Sequence, residues 1–293
     1  AFAYYQQAWS KLSWSDESEK EYYSGCFIRM YLSFLKNADI LDTINAYGLL
    51  IEPLKDEEKQ KLNDSYLEAI ERKYRSFSHP TTRLNEIRSQ IGERVKSRGE
   101  KDSTGIYRLD LPTGAGKTNL SMRYAFHQLI DQNKSRFFYI TPFLSVLEQN
   151  ASEIRKVIGE VSVLEHHSNV VKQTDDNDEK GAAMSNYLIE SWDSQTILTS
   201  MVQFFQTLFK TKSANIRRFS SLANSVLILD EVQSLPIEVT TLFNLTMNFL
   251  NKVMNTTIIL CTATQPTYDS AAIKHKLSYG GKYGEAADIV ELT

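Results

Sequence analysis

The sequence predicts an α/β protein, a mostly parallel doubly wound sheet preceded by a small all-helical region. Three observations carry that expectation. From Ile106 onward, short apolar runs alternate with longer amphipathic stretches, the pattern of strand, crossover helix and parallel strand. The runs are continuously apolar, as in strands covered by helices on both faces. Before residue 75, by contrast, apolar residues recur at three- and four-residue steps and no convincing strand occurs.

The elements follow in order. In CFIRMYLSFLKNADILDTI, Phe27, Ile28, Tyr31, Leu32, Leu35 and Ala38 keep helical spacing. Gly48 and Pro53 then punctuate, and DEEKQKLNDSYLEAIERKY resumes a helix with Leu62, Tyr66, Leu67 and Ile70 opposite its charges. SHPTT reads as a connection, RLNEIRSQIGERV as one more helix, and SRGEKDSTG as a polar, glycine-punctuated link. The expected division is therefore a helical region at 1–77, a connecting helix and linker at 78–104, and an α/β unit at 105–293. Within that unit the strands are IYRLDL, RFFYIT, VSVLEH, QTILTS, SVLILD and TTIILCTAT. Helices are expected from Thr118, near Ser145, around Met184 to Trp192, through Phe209 and after SVLILD. TDDNDEK is a solvated loop, and Arg83, Arg88, Arg94, Lys96 and Arg98 read as a solvated basic helix face.

Composition bounds the partners. With 293 residues, 42% hydrophobic and 24% charged, the chain holds one large domain or two smaller ones. A net charge of -3 supplies no global field for nucleic acid or membranes, so any nucleic-acid surface must be local. No apolar run reaches membrane-spanning length, and no membrane partner is expected. Cys26 and Cys261 belong to no paired spacing and read as buried thiols in a reducing compartment, so the expected location is cytoplasmic. The first residue is Ala1, which leaves a removed targeting segment open.

Two stretches carry chemistry. LDLPTGAGKT follows a predicted strand and opens a predicted helix, the context in which a glycine-rich loop cradles phosphates. Thr113, Gly114, Ala115 and Gly116 would turn backbone N–H groups inward, Lys117 would reach the outer phosphates, and the Thr118 hydroxyl would take one position on Mg2+. The strict pattern has glycine where Leu111 stands. SVLILDEVQSLP ends a buried-looking strand in adjacent acids, which are costly at a core edge unless something positive meets them. Asp230 can hold the Mg2+ bridging the terminal phosphates of ATP, and Glu231 can act as base toward the attacking water.

With these motifs in place the chain resembles a superfamily 2 helicase motor, specifically its first RecA-like lobe. The phosphate loop matches motif I, DEVQ (Asp230 to Gln233) the DExD/H box, and TAT (Thr262 to Thr264) the motif III of that superfamily. Thr141 and Pro142 sit where motif Ia begins, and Thr199 and Ser200 are placed like motif Ib. The resemblance covers residues 85–270 and implies that Thr141, Pro142, Thr199 and Ser200 face nucleic-acid phosphates; each hydroxyl can equally cap a helix. Gln233 would sense the phosphate state, and Thr262 and Thr264 would couple it to the nucleic-acid face. A narrower match also appears. PTGAGKT, VQFFQTLF, NSVLILDEVQSLP and ILCTATQP together look like the type I CRISPR-associated helicase–nuclease. That family implies ATP and Mg2+, single-stranded DNA, an RNA-guided CRISPR surveillance complex as partner, and a nuclease domain holding divalent transition metals.

SFLKNADILDT is similar to the last helix of such a nuclease, which would make Asp39 a late metal ligand; the alternative is a polar carboxylate at a helix end. None of His79, His127, His166, His167 and His275 is followed by Asp, so the His-Asp doublet of that nuclease is absent from these residues. His166-His167-Ser168 reads as a loop beside the DNA path. Motifs of the second motor lobe are also absent, and the 293 residues alone are expected to turn ATP over poorly. Rival readings are an RNA helicase of the DEAH or DEAD type, whose fourth box letter Gln233 does not match, and a non-catalytic nucleotide-binding platform.

Overall fold

The six short apolar-rich runs become six parallel strands. The computed structural model describes residues 2–48, 54–77, 82–112, 114–160, 163–167, 179–262, 278–279, 282–283 and 287–288. The strands are β1 (Ile106–Asp110), β2 (Arg136–Thr141), β3 (Val163–His166), β4 (Thr196–Ser200), β5 (Ser225–Asp230) and β6 (Thr257–Thr262). Their order is β3-β4-β2-β5-β6-β1, with the short β9 (Ala287–Asp288) added beside β1; β7 (Ser278–Tyr279) and β8 (Lys282–Tyr283) pair separately and antiparallel. The sequence does not signal these last three. Parallel pairing sends all six carboxyl ends to one edge, where Asp110 aligns with Thr262 and Asp230 with Cys261. Such an edge is where ligands gather in open sheets of this kind.

Alternate residues of each strand enter different cores. In β5, Val226 and Ile228 pack with α5 (Lys117–Asp131) and α6 (Leu144–Ile158), joined by α3 (Asp56–Arg75) and α4 (Arg83–Lys101). Leu227 and Leu229 face α8 (Met201–Phe209), α9 (Ser213–Phe219) and α10 (Ile237–Lys252), together with α1 (Phe2–Trp9) and α2 (Glu17–Ala46). α7 (Glu179–Ser191) packs beside α9 and β3. Trp192 follows α7 fully buried, its ring edge-on to Phe138 at 5.6 Å.

The helices before residue 77 thus divide between the two faces. Asp16 starts α2 by accepting the Glu19 N–H at 3.1 Å, with Glu17 and Glu19 favouring the positive end of the helix. Tyr23, Cys26, Phe27 and Met30 bury the inner face, and Phe27 meets Phe249 edge-on at 5.0 Å. Arg29 donates to the Thr207 carbonyl and Ser33 to the Arg217 carbonyl at 2.8 Å, which ties α2 to α8 and α9.

On the other face, α4 and α5 approach closely because Gly99 has no side chain. A Cβ there would stand 2.9 Å from the Cβ of His127 and 3.1 Å from the Tyr124 carbonyl. Arg123 on α5 is 2% exposed and makes bonds of 2.6 and 2.7 Å to the two oxygens of Glu71 on α3, with Glu93 of α4 at 3.2 Å. Burial alone would raise the Glu71 carboxyl, but bonds from Arg123 and His127 outweigh it and hold it at about 2. A depressed carboxyl stabilises the fold above its unfolded value and loses that contribution as pH falls through the folded value. The stability gap between wild type and Glu71→Gln is therefore expected to shrink between pH about 4.5 and about 2, read from urea midpoints across that range. A gap independent of pH would contradict the pairing.

Candidate nucleotide site

The loop between β1 and α5 is built by its glycines. Gly114 and Gly116 hold φ values of 82° and 88°, a region costly to side-chain-bearing residues, and Ala115 N–H closes a turn on the Pro112 carbonyl at 3.2 Å. A Cβ at either glycine would meet no atom of the described residues within 4 Å, so the requirement there is conformational rather than steric. Thr113 lies outside the described residues. Gly116 caps α5, and Lys117 opens that helix.

Lys117 and Glu231 come from distant parts of the chain and meet at 2.8 Å. Glu231 itself sits in left-handed backbone at φ 53°, a strained conformation for a residue with a side chain. Burial would raise its carboxyl, but bonds from Lys117 and Gln233 bring it below the usual carboxylate range. Gln233, exposed in a short 3-10 turn, donates to the second Glu231 oxygen and accepts from the Thr262 hydroxyl at the end of β6. The acid, the glutamine and the β6 threonine are one hydrogen-bonded chain. Thr264 lies outside the described residues.

Asp230 is buried at the end of β5. Its carboxylate accepts from the Tyr139 hydroxyl at 2.7 Å and from the Glu231 N–H at 3.0 Å. Burial pushes its carboxyl above the usual range, with the Tyr139 hydroxyl and Lys117 pulling it partly back. Asn150 on α6 completes the group: its amide donates to Tyr139 at 3.2 Å and reaches Asp230 at 3.5 Å, while its oxygen accepts from Thr118 at 3.1 Å. Thr118 and Asp230 are thereby joined through one side chain. Tyr139 and Asn150 gave no signal in the sequence, because each lies in a different element from the motif it supports.

A cavity of about 490 Å3 opens beside the loop. Its walls are Gly114, Ala115 and Gly116 with Tyr74 and Phe77 from the end of α3 and Asn85 and Arg88 from α4. Tyr74 is held from behind by the Arg123 guanidinium, 4.1 Å from the ring centre. Arg88, expected on a solvated face, instead donates to the Gly114 carbonyl at 2.6 Å. Only the folded packing of α4 on α5 brings it there.

The strand-end hydroxyls are used inside the protein. Thr199 is buried and donates to the His166 carbonyl at 2.7 Å; Ser200 caps α8 by accepting the Gln203 N–H at 3.3 Å. Thr141 is fully buried, its hydroxyl without a hydrogen-bond partner among the described residues, and Pro142 is half-buried beside exposed Phe143. His166 is buried and accepts from the Trp192 indole at 3.1 Å, burial and Arg218 holding it neutral with a value of about 3. Ser168, His79 and His275 lie outside the described residues. Asp39 is exposed on α2, where its carbonyl accepts from Thr43 at 2.8 Å. Among the described residues there is no group of three or more His, Cys, Asp or Glu placed to hold a metal. Nor is any helix among them long and apolar enough to cross a membrane.

The family model for DEAD/DEAH box helicases matches residues 86–271, more than half of the chain. The chain belongs to the DEAD/DEAH box helicase family. The match takes in every residue of the candidate nucleotide site just described except Tyr74, Phe77 and Asn85. A curated relative, the CRISPR-associated nuclease/helicase Cas3 of Haloferax volcanii, is 29% identical over 247 residues, which covers 77% of this chain. The chain spans about a quarter of that relative's length (25%). Among solved structures, T. fusca Cas3-AMPPNP shares the fold with a TM-score of 0.52 at 15% identity, over 66% of this chain and 22% of that one. T. fusca Cas3-ATP gives 0.50 at 16% identity, over 60% and 21%. The helicase fold is therefore RecA-like, as the resemblance implied.

Proposed function

We propose that the chain is the ATP-hydrolysing first lobe of a single-stranded DNA translocase in a type I CRISPR interference nuclease. One observation carries the nucleotide reading: Lys117, Glu231, Gln233 and Thr262 form a continuous chain from the phosphate loop to β6, beside a carboxylate and hydroxyl joined through Asn150. The resemblance to Cas3 proteins supports the choice of DNA and of the CRISPR surveillance complex as partner.

Thr118 and Asp230 offer oxygen donors suited to Mg2+, and the glycine-rich loop suits a polyphosphate. When bound, Mg2+ would neutralise charge on the terminal phosphates of ATP. Lys117 then exchanges its bond to Glu231 for phosphate oxygens, which carry more negative charge. Losing Lys117 removes the main influence that lowers the Glu231 carboxyl, so that group becomes a stronger base when nucleotide is present. Glu231 takes the proton from the attacking water. Tyr74 and Phe77 offer aromatic faces for the base.

Gln233 senses the phosphate state, and Thr262 and Thr264 couple it to the nucleic-acid face. Thr141, Pro142, Thr199 and Ser200 shape the strand ends that meet DNA; since the Thr199 and Ser200 hydroxyls are bonded internally, backbone N–H groups of the adjoining helix starts make the phosphate contacts. A second lobe supplies the arginines of transition-state stabilisation, so the isolated chain is slow. Residues 1–77 end the nuclease region, residues 78–104 connect it to the motor at 105–293, and Asp39 would join metal ligands from elsewhere in the nuclease.

Single-stranded DNA raising ATP hydrolysis is the direct test of this reading. Its coupling step has its own. Thr262→Ala is expected to leave basal hydrolysis within about twofold while cutting DNA stimulation about tenfold, since it removes one neutral hydrogen bond from the relay. Unchanged stimulation and unwinding would remove Thr262 from the mechanism.

A further inference from the structure

We propose that Arg88 is a positioning residue for the phosphate loop, holding the Gly114–Ala115 peptide in the shape that receives a polyphosphate. This rests on the reading of the loop as a nucleotide site. One peptide unit is gripped from both sides: Arg88 donates to its carbonyl at 2.6 Å, and its N–H donates to the Pro112 carbonyl at 3.2 Å. The grip falls next to the φ of 82° at Gly114, where a glycine backbone has the most freedom to lose. Arg88 is steered by Asn85, whose oxygen accepts from it at 3.4 Å and whose backbone N–H is bonded to Thr82 at the start of α4.

The two groups that Arg88 bonds are neutral, and Arg88 itself lines the cavity beside the loop, with the Glu93 carboxylate in the same wall. A charged donor on a carbonyl is a stronger restraint than a neutral one. Without it the loop must be ordered at the moment of binding, and that ordering lowers affinity. The restraint acts on the loop and not on the base, so it serves any ligand with a chain of phosphates.

The test separates these possibilities with two ligands, ATP and inorganic tripolyphosphate, titrated in competition with a fluorescent nucleotide. Arg88→Ala is expected to weaken both about tenfold and in the same ratio, with thermal unfolding unchanged because the residue is exposed. Arg88→Lys, which keeps the charge and one donor, is expected to fall between. Loss for ATP alone would make Arg88 a base contact and overturn the proposal. Unchanged or tighter binding of both would overturn it as well, and so would Arg88→Lys binding as weakly as Arg88→Ala. If the wild-type protein bound neither ligand, the nucleotide reading itself would fail first.

Discussion

Glu231→Gln is expected to lower ATP hydrolysis about 10^3-fold, within the range removed with a general base, while nucleotide stays bound. The reason for the split lies in the Lys117–Glu231 pair at 2.8 Å. The carboxylate is both the proposed base and the group that competes with phosphate for Lys117. An amide cannot accept the proton from water, so chemistry stops. The same amide no longer forms an ion pair with Lys117, so the lysine is freer to meet phosphate, and affinity is expected to hold or rise. Gln233 keeps a carbonyl oxygen partner at position 231, so the relay to Thr262 is not broken. Hydrolysis within about tenfold of wild type would take the base role from Glu231. A joint loss of binding and turnover would instead mean that its structural pairing dominates.

Arg123→Ala is expected to destabilise the fold by about 3–5 kcal/mol, the usual cost of leaving one partner of a buried ion pair alone. Arg123 is 2% exposed, bonds both oxygens of Glu71, reaches Glu93 and lies 4.1 Å from the Tyr74 ring centre. Removing it leaves Glu71 short of its strongest partner and opens a cavity between α3, α4 and α5. Chemical denaturation of the two proteins measures the difference. Replacing Arg123 and Glu71 together by Met should recover most of the loss, because the charge is then no longer stranded. A single-variant loss below about 1 kcal/mol would place the pair with ordinary surface bridges. Tyr74 lines the cavity beside the phosphate loop, so a destabilised Arg123→Ala should also bind ATP less well than wild type.

The parts legible in the sequence share one property: their signal is local. Each strand is a short, largely apolar run set between longer amphipathic stretches, so β1 to β6 could be read one at a time. Gly114, Gly116, Lys117 and Thr118 are adjacent because a turn into a helix start needs them adjacent. Asp230 and Glu231 stand out because acids follow directly on Leu229. What the sequence did not give is set by packing across the sheet. The 30-residue α2 and the neighbouring α3 look alike in pattern yet cover opposite faces. Asn150, Tyr139 and Arg88 become part of the site only through helices and strands that meet it from outside the motifs. Thr199 and Ser200 were legible as strand-end hydroxyls, but their bonding to His166 and Gln203 depended on the neighbouring strand and on the first turn of α8.

ATP hydrolysis by the proposed two-lobed motor, with single-stranded DNA, single-stranded RNA of the same sequence, or neither, and Glu231→Gln measured beside it, decides between these substrates. Stimulation by DNA is expected to stand well above that by RNA and to be abolished in the variant. Equal or greater stimulation by RNA would contradict the DNA reading, moving the chain to the RNA helicases and returning Asp39 to an ordinary surface carboxylate.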